Sequence, residues 1–186
     1  MRAAILLAAG ASRRFGRSDK LQARLGQRSL LDHALANVRA SGASRIILVT
    51  ADPKRIRGVT HVRTSRARGS LSTSIAAGLA ALRPVEREAL IFLADMPYAY
   101  APRLRLPLGA MAVRPHFRGL PGHPVLVRVV AAKAALAQGQ VGLGRSLRMA
   151  YVPGGVDHLV DIDTPAALRR IRRHGSRAWR PRSAPE

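Results

Sequence analysis

The sequence contains no cysteine. Disulfide scaffolds, zinc ribbons and thiol catalysis are therefore excluded at the start. Aromatic residues make up 4% of the chain, too few to build the stacking platforms that hold single-stranded nucleic acids. No apolar run approaches the ~20 residues that a membrane-spanning helix needs. The apolar N-terminal run, Ala3 to Ala9, is too short for a signal segment with its cleavage site, and it leads straight into Gly10 and a basic loop. The expectation is a soluble cytoplasmic protein. Acids are scarce, with 10 Asp+Glu against 32 Lys+Arg, so any acid at a strand end carries information.

What is present is apolar residue in quantity, 47% of 186 positions, enough for one well-buried domain. Positive charge is also abundant, and the formal net charge is +22. Such an excess invites a nucleic-acid reading, because basic patches displace counterions from phosphate backbones. Two features weigh against it. Lys20, Lys54 and Lys133 are the only lysines, and every other basic residue is arginine, the bias expected of a GC-rich coding sequence. The arginines are also scattered through every segment instead of forming one stripe. Small anionic ligands suit this distribution better than a duplex does.

Apolar runs alternate with helical periodicity along the chain. Arg2 to Ala8 reads as a buried strand ending at Gly10, followed by a basic loop to Lys20. Ser29 to Arg39 has helical spacing, with Ser29 as cap and Asp32 three residues on. Ser44 to Thr50 and Val59 to Arg63 read as strands, Ser70 to Leu82 as a helix rich in small residues, and Ala89 to Ala94 as a strand running into Asp95. Ala110–Val113 and Val125–Val127 are short strands, and Val129–Ala137 is an Ala-rich helix. Val156–Val160 is expected to close the strand series, ahead of a last helix that Pro165 opens. This alternation predicts an α/β fold, a mostly parallel sheet with helices on both faces. Ligands in such folds bind beyond the carboxyl ends of the strands, which points to the loops after Ala8 and after Ala94. Residues 1–174 form the expected single domain. Residues 175–186, rich in Arg, Pro and Ser, are expected to be a disordered basic tail.

Four segments could carry chemistry. The first, Leu7-Ala8-Ala9-Gly10 through Arg14 to Lys20, offers backbone N–H groups and basic side chains to an anion. It matches neither the P-loop nor the dinucleotide fingerprint, and a glycine turn with solvated arginines would look the same. The second is Asp95, at a strand's carboxyl end, where a Mg²⁺ ligand or a turn carboxylate would sit. The third is Asp161-Ile162-Asp163-Thr164-Pro165. If the strand conformation persists, its two acids face one side, and Asp163 is either a second metal ligand or a helix cap. The fourth, Gly69 to Ser74, opens a helix with small hydroxyl residues that leave room for a flat base; an ordinary capped helix start fits equally well. The six histidines show no ligand spacing, and His116 and His123 flank a Gly/Pro loop.

Taken in order, LAAGASRRFGRSDK, LGQRSLLDHAL, RGSLSTSIAAGL, FLADMP, GLPGHPVLV and DIDTP resemble the small nucleotidyltransferases of molybdenum cofactor biosynthesis, nearest to the molybdenum cofactor cytidylyltransferase group. The resemblance covers Arg2 to Ile171. It implies a three-layer α/β/α, Rossmann-like nucleotidyltransferase fold that uses an NTP and Mg²⁺. It places the nucleotide on Leu7, Ala8, Ala9 and Gly10, and Ser74 of the fourth segment is expected to bind it as well. Arg14 and Lys20 fall on the triphosphate, and Asp95 and Asp163 on the metal. Ala9, where guanylyl-transferring relatives carry glycine, implies CTP. The implied acceptor is the phosphate of molybdopterin, and a molybdoenzyme or its maturation factor would take the product. Two departures, Pro102 and Pro107 in the stretch before Gly122 and Gln140 in place of an acid, lie on the acceptor side. They leave open another phosphorylated acceptor, or a non-catalytic polyanion-binding or regulatory homologue.

Overall fold

The computed structural model describes residues 1–10, 15, 19–51, 56–64, 70–101, 104–139, 143 and 147–176. Ten strands and four helices lie within them. The strands are β1 (Arg2–Ala8), β2 (Arg24–Leu25), β3 (Arg28–Ser29), β4 (Arg45–Thr50), β5 (Thr60–Arg63), β6 (Glu88–Leu93), β7 (Ala112–Phe117), β8 (Leu120–Pro121), β9 (Val125–Arg128) and β10 (Met149–Pro153). The helices are α1 (Leu30–Arg39), α2 (Leu71–Ala80), α3 (Val129–Ala137) and α4 (Pro165–His174).

The main sheet runs β10-β7-β9-β6-β1-β4-β5, with β8 paired to β7. β1 is parallel to β4 and β6, and β4 to β5. β9 is antiparallel to both β6 and β7, so β7 runs in the direction of β6, and β10 follows β7 in parallel. The carboxyl ends of six strands therefore share one rim, and β9 begins there. β2 and β3 form a small separate hairpin.

Two apolar layers clamp the sheet. Ile5, Val49, Ile91 and Val127 pack with Ile75 and Leu79 of α2 and Ala132 of α3 on one face. Leu6, Leu48, Phe92 and Leu126 pack with Leu35 and Val38 of α1 on the other. A third cluster joins Leu30 of α1 to Leu168 and Ile171 of α4. β1 is buried on both faces, as its unbroken apolar run requires. The expected mostly parallel three-layer architecture is the one found.

Local signals account for the helix ends. Ser29 and Asp32 form a reciprocal capping box, with the Asp32 N–H donating to Ser29 Oγ at 3.1 Å and the Ser29 N–H donating to Asp32 Oδ2 at 3.2 Å. Pro165 stands in the first turn of α4 behind the capping Thr164.

Two expectations are corrected. Val156–Val160 is not a strand: Val156–His158 makes a 3-10 turn, and residues 159–163 have no regular structure. The Gly155 N–H donates to His158 Nδ1 at 3.1 Å and closes that turn. The strand that ends the series is β10, seven residues earlier, where Met149–Pro153 pairs with Ala112–His116. Consequently Asp161 and Asp163 are not held on one side by strand pleating. The strand expected at Ala110–Val113 also begins later and runs further, through Pro115 to Phe117, before turning back as β8.

The small residues of α2 have a packing reason. A Cβ on Gly78 would stand 2.5 Å from Ile5 Cγ2 and 3.2 Å from Val49 Cγ2, so α2 lies on the sheet at a distance only glycine permits. Gly78→Val is expected to destabilise the protein by about 3 kcal/mol through overpacking, read as a lowered urea midpoint with an unchanged slope. An unchanged midpoint would contradict this packing.

Candidate active site

β1 delivers the first wall of the site. Its last residues, Leu7 and Ala8, lead into Ala9, which is 2% exposed, and then Gly10. A Cβ on Gly10 would meet nothing within 4 Å, which leaves that space to whatever enters the cleft. β6 delivers the second wall. The Ala94 N–H donates to Leu7 O at 3.0 Å and carries the strand pairing one residue past β6, so Asp95 emerges beside the end of β1. The Met96 N–H donates to Leu93 O at 3.2 Å and turns the chain away there.

Asp163 reaches the same point from the other end of the sequence. The Ile162 N–H donates to Asp95 O at 3.0 Å and stitches the segment before α4 to the segment after β6. Thr164 Oγ1 accepts from the Ala167 N–H at 3.1 Å, so Thr164 is the cap of α4. Of the two roles open to Asp163, capping is thus filled by its neighbour.

Between the two carboxylates stands Lys20. It opens a 3-10 turn (Lys20–Gln22) capped by Asp19, whose Oδ1 accepts from the Leu21 N–H at 3.0 Å. Lys20 Nζ donates to Asp95 Oδ2 at 2.8 Å and to Asp163 Oδ1 at 2.7 Å, and the lysine is 9% exposed. A buried ammonium is stable only when matched by charge and hydrogen bonds, and here two carboxylates supply both. The trio carries one net negative charge in a chain of large positive charge.

Beside this trio opens a cleft of about 240 Å³. Leu7 through Gly10 form one side and Ser70, Leu71 and Ser74 of the α2 amino terminus another. Lys20, Asp95 and Asp163 close the charged end. Ser70 caps α2 by accepting from the Thr73 N–H at 3.1 Å. The cleft thus meets an apolar strand end, a helix amino terminus that favours negative charge, and a carboxylate pair.

The structure gathers Leu7, Ala8, Ala9, Gly10, Lys20, Ser74, Asp95 and Asp163 around one cleft. Arg14 and Gln140 lie outside the described residues, as do Pro102 and most of the basic tail. Leu21 and Leu93 also line the cleft and escaped the sequence reading, since a leucine beside a motif looks like core.

Among the described residues no group of three or more His, Asp or Glu forms a ready-made metal cage. The donor set nevertheless fits a hard divalent cation. Two carboxylates share one hydrogen-bonded cation, so their oxygens are no farther apart than two such bonds laid end to end. Mg²⁺-type ions use one or two carboxylates and complete their shell with phosphates and water.

Residues 4–154 match the MobA-like NTP transferase domain. The chain belongs to that family. Leu7 through Gly10, Lys20, Ser74 and Asp95 of the cleft lie within the matched residues, and Asp163 lies beyond them. Among solved structures, the Rv0371c homologue from Mycobacterium sp. strain JC1 is 24% identical; the match covers 95% of this chain and 97% of that one, with a TM-score of 0.75. Rv0371c from Mycobacterium tuberculosis H37Rv, solved in complex with manganese, is 19% identical over 92% and 97% of the two chains, with a TM-score of 0.65. Molybdopterin-guanine dinucleotide biosynthesis protein A from Archaeoglobus fulgidus is 19% identical over 95% and 100%, with a TM-score of 0.67. These likenesses bear out the fold. Among curated proteins none is significantly similar. No helix of the described residues is long and apolar enough to cross a membrane.

Proposed function

We propose that the protein transfers CMP from CTP to the phosphate of molybdopterin and releases pyrophosphate, with residues 1–174 as its one NTP-transferase domain. The observation that carries this reading is the convergence of Leu7–Gly10, Lys20, Asp95 and Asp163 on a single cleft. The acceptor's phosphate oxygen attacks the α-phosphorus of CTP, the bond to the bridging oxygen breaks, and pyrophosphate departs. A phosphate monoester has its second pKa near 6 and is already anionic at neutral pH, so no general base is required. The site's work is positioning and charge neutralisation.

Leu7 to Gly10 hold the nucleotide against the end of β1, with Ser74 beside the base. Ala9, bulkier than the glycine of guanylyl-transferring relatives, suits a pyrimidine. Lys20 and Arg14 serve the triphosphate and the departing pyrophosphate. Asp95 and Asp163 would hold Mg²⁺, which when bound neutralises phosphate charge. Support for a divalent metal comes from the donor set and from the manganese complex of the mycobacterial neighbour. Support for the cofactor pathway comes from the family and from the Archaeoglobus neighbour. A molybdoenzyme or its maturation factor, in the cytoplasm, would receive the product.

A panel of nucleotides with Mg²⁺, read by thermal shift, tests this. Saturating CTP is expected to raise the melting temperature by about 5 °C or more, the effect of roughly 2–3 kcal/mol of linked binding, and other nucleotides by less. Equal stabilisation by GTP would remove the cytidylyl assignment. Stabilisation by DNA alone, lost steeply with salt, would replace the reading with polyanion binding.

A further inference from the structure

Most of the described arginines are exposed. Among the described residues, Arg2, Lys20, Arg45 and Arg114 are the only arginines and lysines that are not exposed. Three of them are matched by acids. Arg2 Nη2 donates to Glu88 Oε2 at 2.8 Å, Arg45 Nη1 to Glu86 Oε2 at 2.9 Å, and Lys20 to its two aspartates. Arg114 makes no ion pair with a described carboxylate. Its protein contact is Nε donating to Gly122 O at 2.8 Å. Burial pulls its pKa below the usual arginine value, with the Tyr151 phenol acting in the opposite sense. A half-buried guanidinium without a carboxylate is costly in the free protein, and an anion beside it would offset that cost.

Its position gives such an anion a purpose. β7 lies two strands from β6 across β9, about 10 Å away. Val113 pairs with Leu126 and Ile91 with Val125, which sets Arg114 level with Val125 and Ile91. Strand alternation places it on the sheet face that carries Leu7 and Leu93, two residues that line the cleft. The Gly122 contact draws the guanidinium toward the rim. The loop before β9 is held firmly there, because a Cβ on Gly122 would stand 2.7 Å from His158 O and 2.8 Å from His158 Cβ. The next residue, His123, has its pKa pushed down to about 4, first by burial and then by the Arg114 guanidinium. Its imidazole is neutral at physiological pH and brings no second cation. Tyr151, the cross-strand partner of Arg114 in β10, is 55% exposed, and its ring meets that of His116 edge-on at 5.9 Å.

Along the rim the order is thus nucleotide cleft, Asp95, Arg114. We infer that Arg114 anchors the phosphate monoester of the acceptor, on the far side of Asp95 from the nucleotide, with Nε held by Gly122 and the Nη donors left for phosphate oxygens. Guanidinium and phosphate match in charge and fork geometry. An acceptor held there approaches the α-phosphorus from the side away from the nucleotide cleft. The inference rests on the proposed nucleotidyl transfer and adds to it where the acceptor binds.

The test uses the full chain, Mg²⁺ and α,β-methylene-CTP, which fills the nucleotide cleft but cannot release pyrophosphate. Phenyl phosphate, a plain monoester, is then titrated into wild type, Arg114→Gln and Arg114→Lys. Arg114→Gln is expected to weaken phenyl phosphate about tenfold or more, and Arg114→Lys by much less, with nucleotide affinity equal in all three. In wild type the Arg114 Nε–H resonance is expected to move on titration, a reading that needs no variant to fold. Phenyl phosphate binding that is absent in wild type, or unchanged in Arg114→Gln, overturns the inference, as does an unmoved resonance. Failure of wild type to bind the nucleotide analogue would instead remove the proposed function, so the two failures are distinct.

Discussion

Asp95→Ala is expected to lower the rate of pyrophosphate release from CTP about a thousandfold, equivalent to ~4 kcal/mol of barrier, without unfolding the protein. The carboxylate is the side chain that emerges beside the end of β1 and faces the cleft. Its loss would remove one of the two carboxylates proposed to hold the divalent cation, and it removes half of the clamp on Lys20. The fold should persist because residue 95 is held by its backbone: Asp95 O accepts from the Ile162 N–H, and alanine keeps that bond. Pyrophosphate release by a phosphate-sensing assay, beside a circular dichroism melt, separates the two effects. Near-normal release by a folded variant would sink the assignment of Asp95 to the reaction.

Lys20→Met should lose turnover by about a hundredfold or more, the usual effect of removing one charged donor from a transition-state contact. It also tests the metal fit without any catalysis. In the wild type the Lys20 ammonium fills the space between Asp95 and Asp163. Methionine leaves two carboxylates facing each other in a partly buried site, at a cost of ~1–3 kcal/mol. A divalent cation can then take the vacated place. Mg²⁺ or Mn²⁺ should therefore raise the melting temperature of Lys20→Met by several degrees more than that of wild type. No metal response in either protein would argue that Asp95 and Asp163 do not share a cation.

The same pairing explains why part of this site was visible from the residues alone and part was not. Leu7 to Gly10, Lys20 and Asp95 stand at predicted strand ends or in the loop beyond them, where an α/β fold displays its ligands. Their candidacy needed only chain-local signals. Asp163 remained divided between cap and ligand, because capping preference is a property of residue type and both Asp163 and Thr164 satisfy it. The hydrogen bond from Ala167 to Thr164 assigned the cap, and Lys20 assigned Asp163 to the cleft. Arg114 had no signal at all. In a chain so rich in arginine, one more carries no weight until burial and missing partners set it apart.

Elements whose signals are local can be read from the residues. The double-sided apolar run of β1, the capping box of α1, the proline that opens α4, and the bounds of α3 were all legible, since period, caps and turn residues act within a few positions. The sequence pattern misplaced the closing strand, because Val156, Leu159 and Val160 are apolar, whereas the His158 N–H bond to Gly155 O, the Leu159 N–H bond to Val156 O and the Gly155 N–H bond to His158 Nδ1 make a 3-10 turn there. Tertiary structure alone decided which distant residues meet. Lys20 lies 75 positions from Asp95 and 143 from Asp163, and no local propensity links them. They meet because a parallel sheet sends its strand ends to one rim, and because a buried ammonium must find its countercharge there.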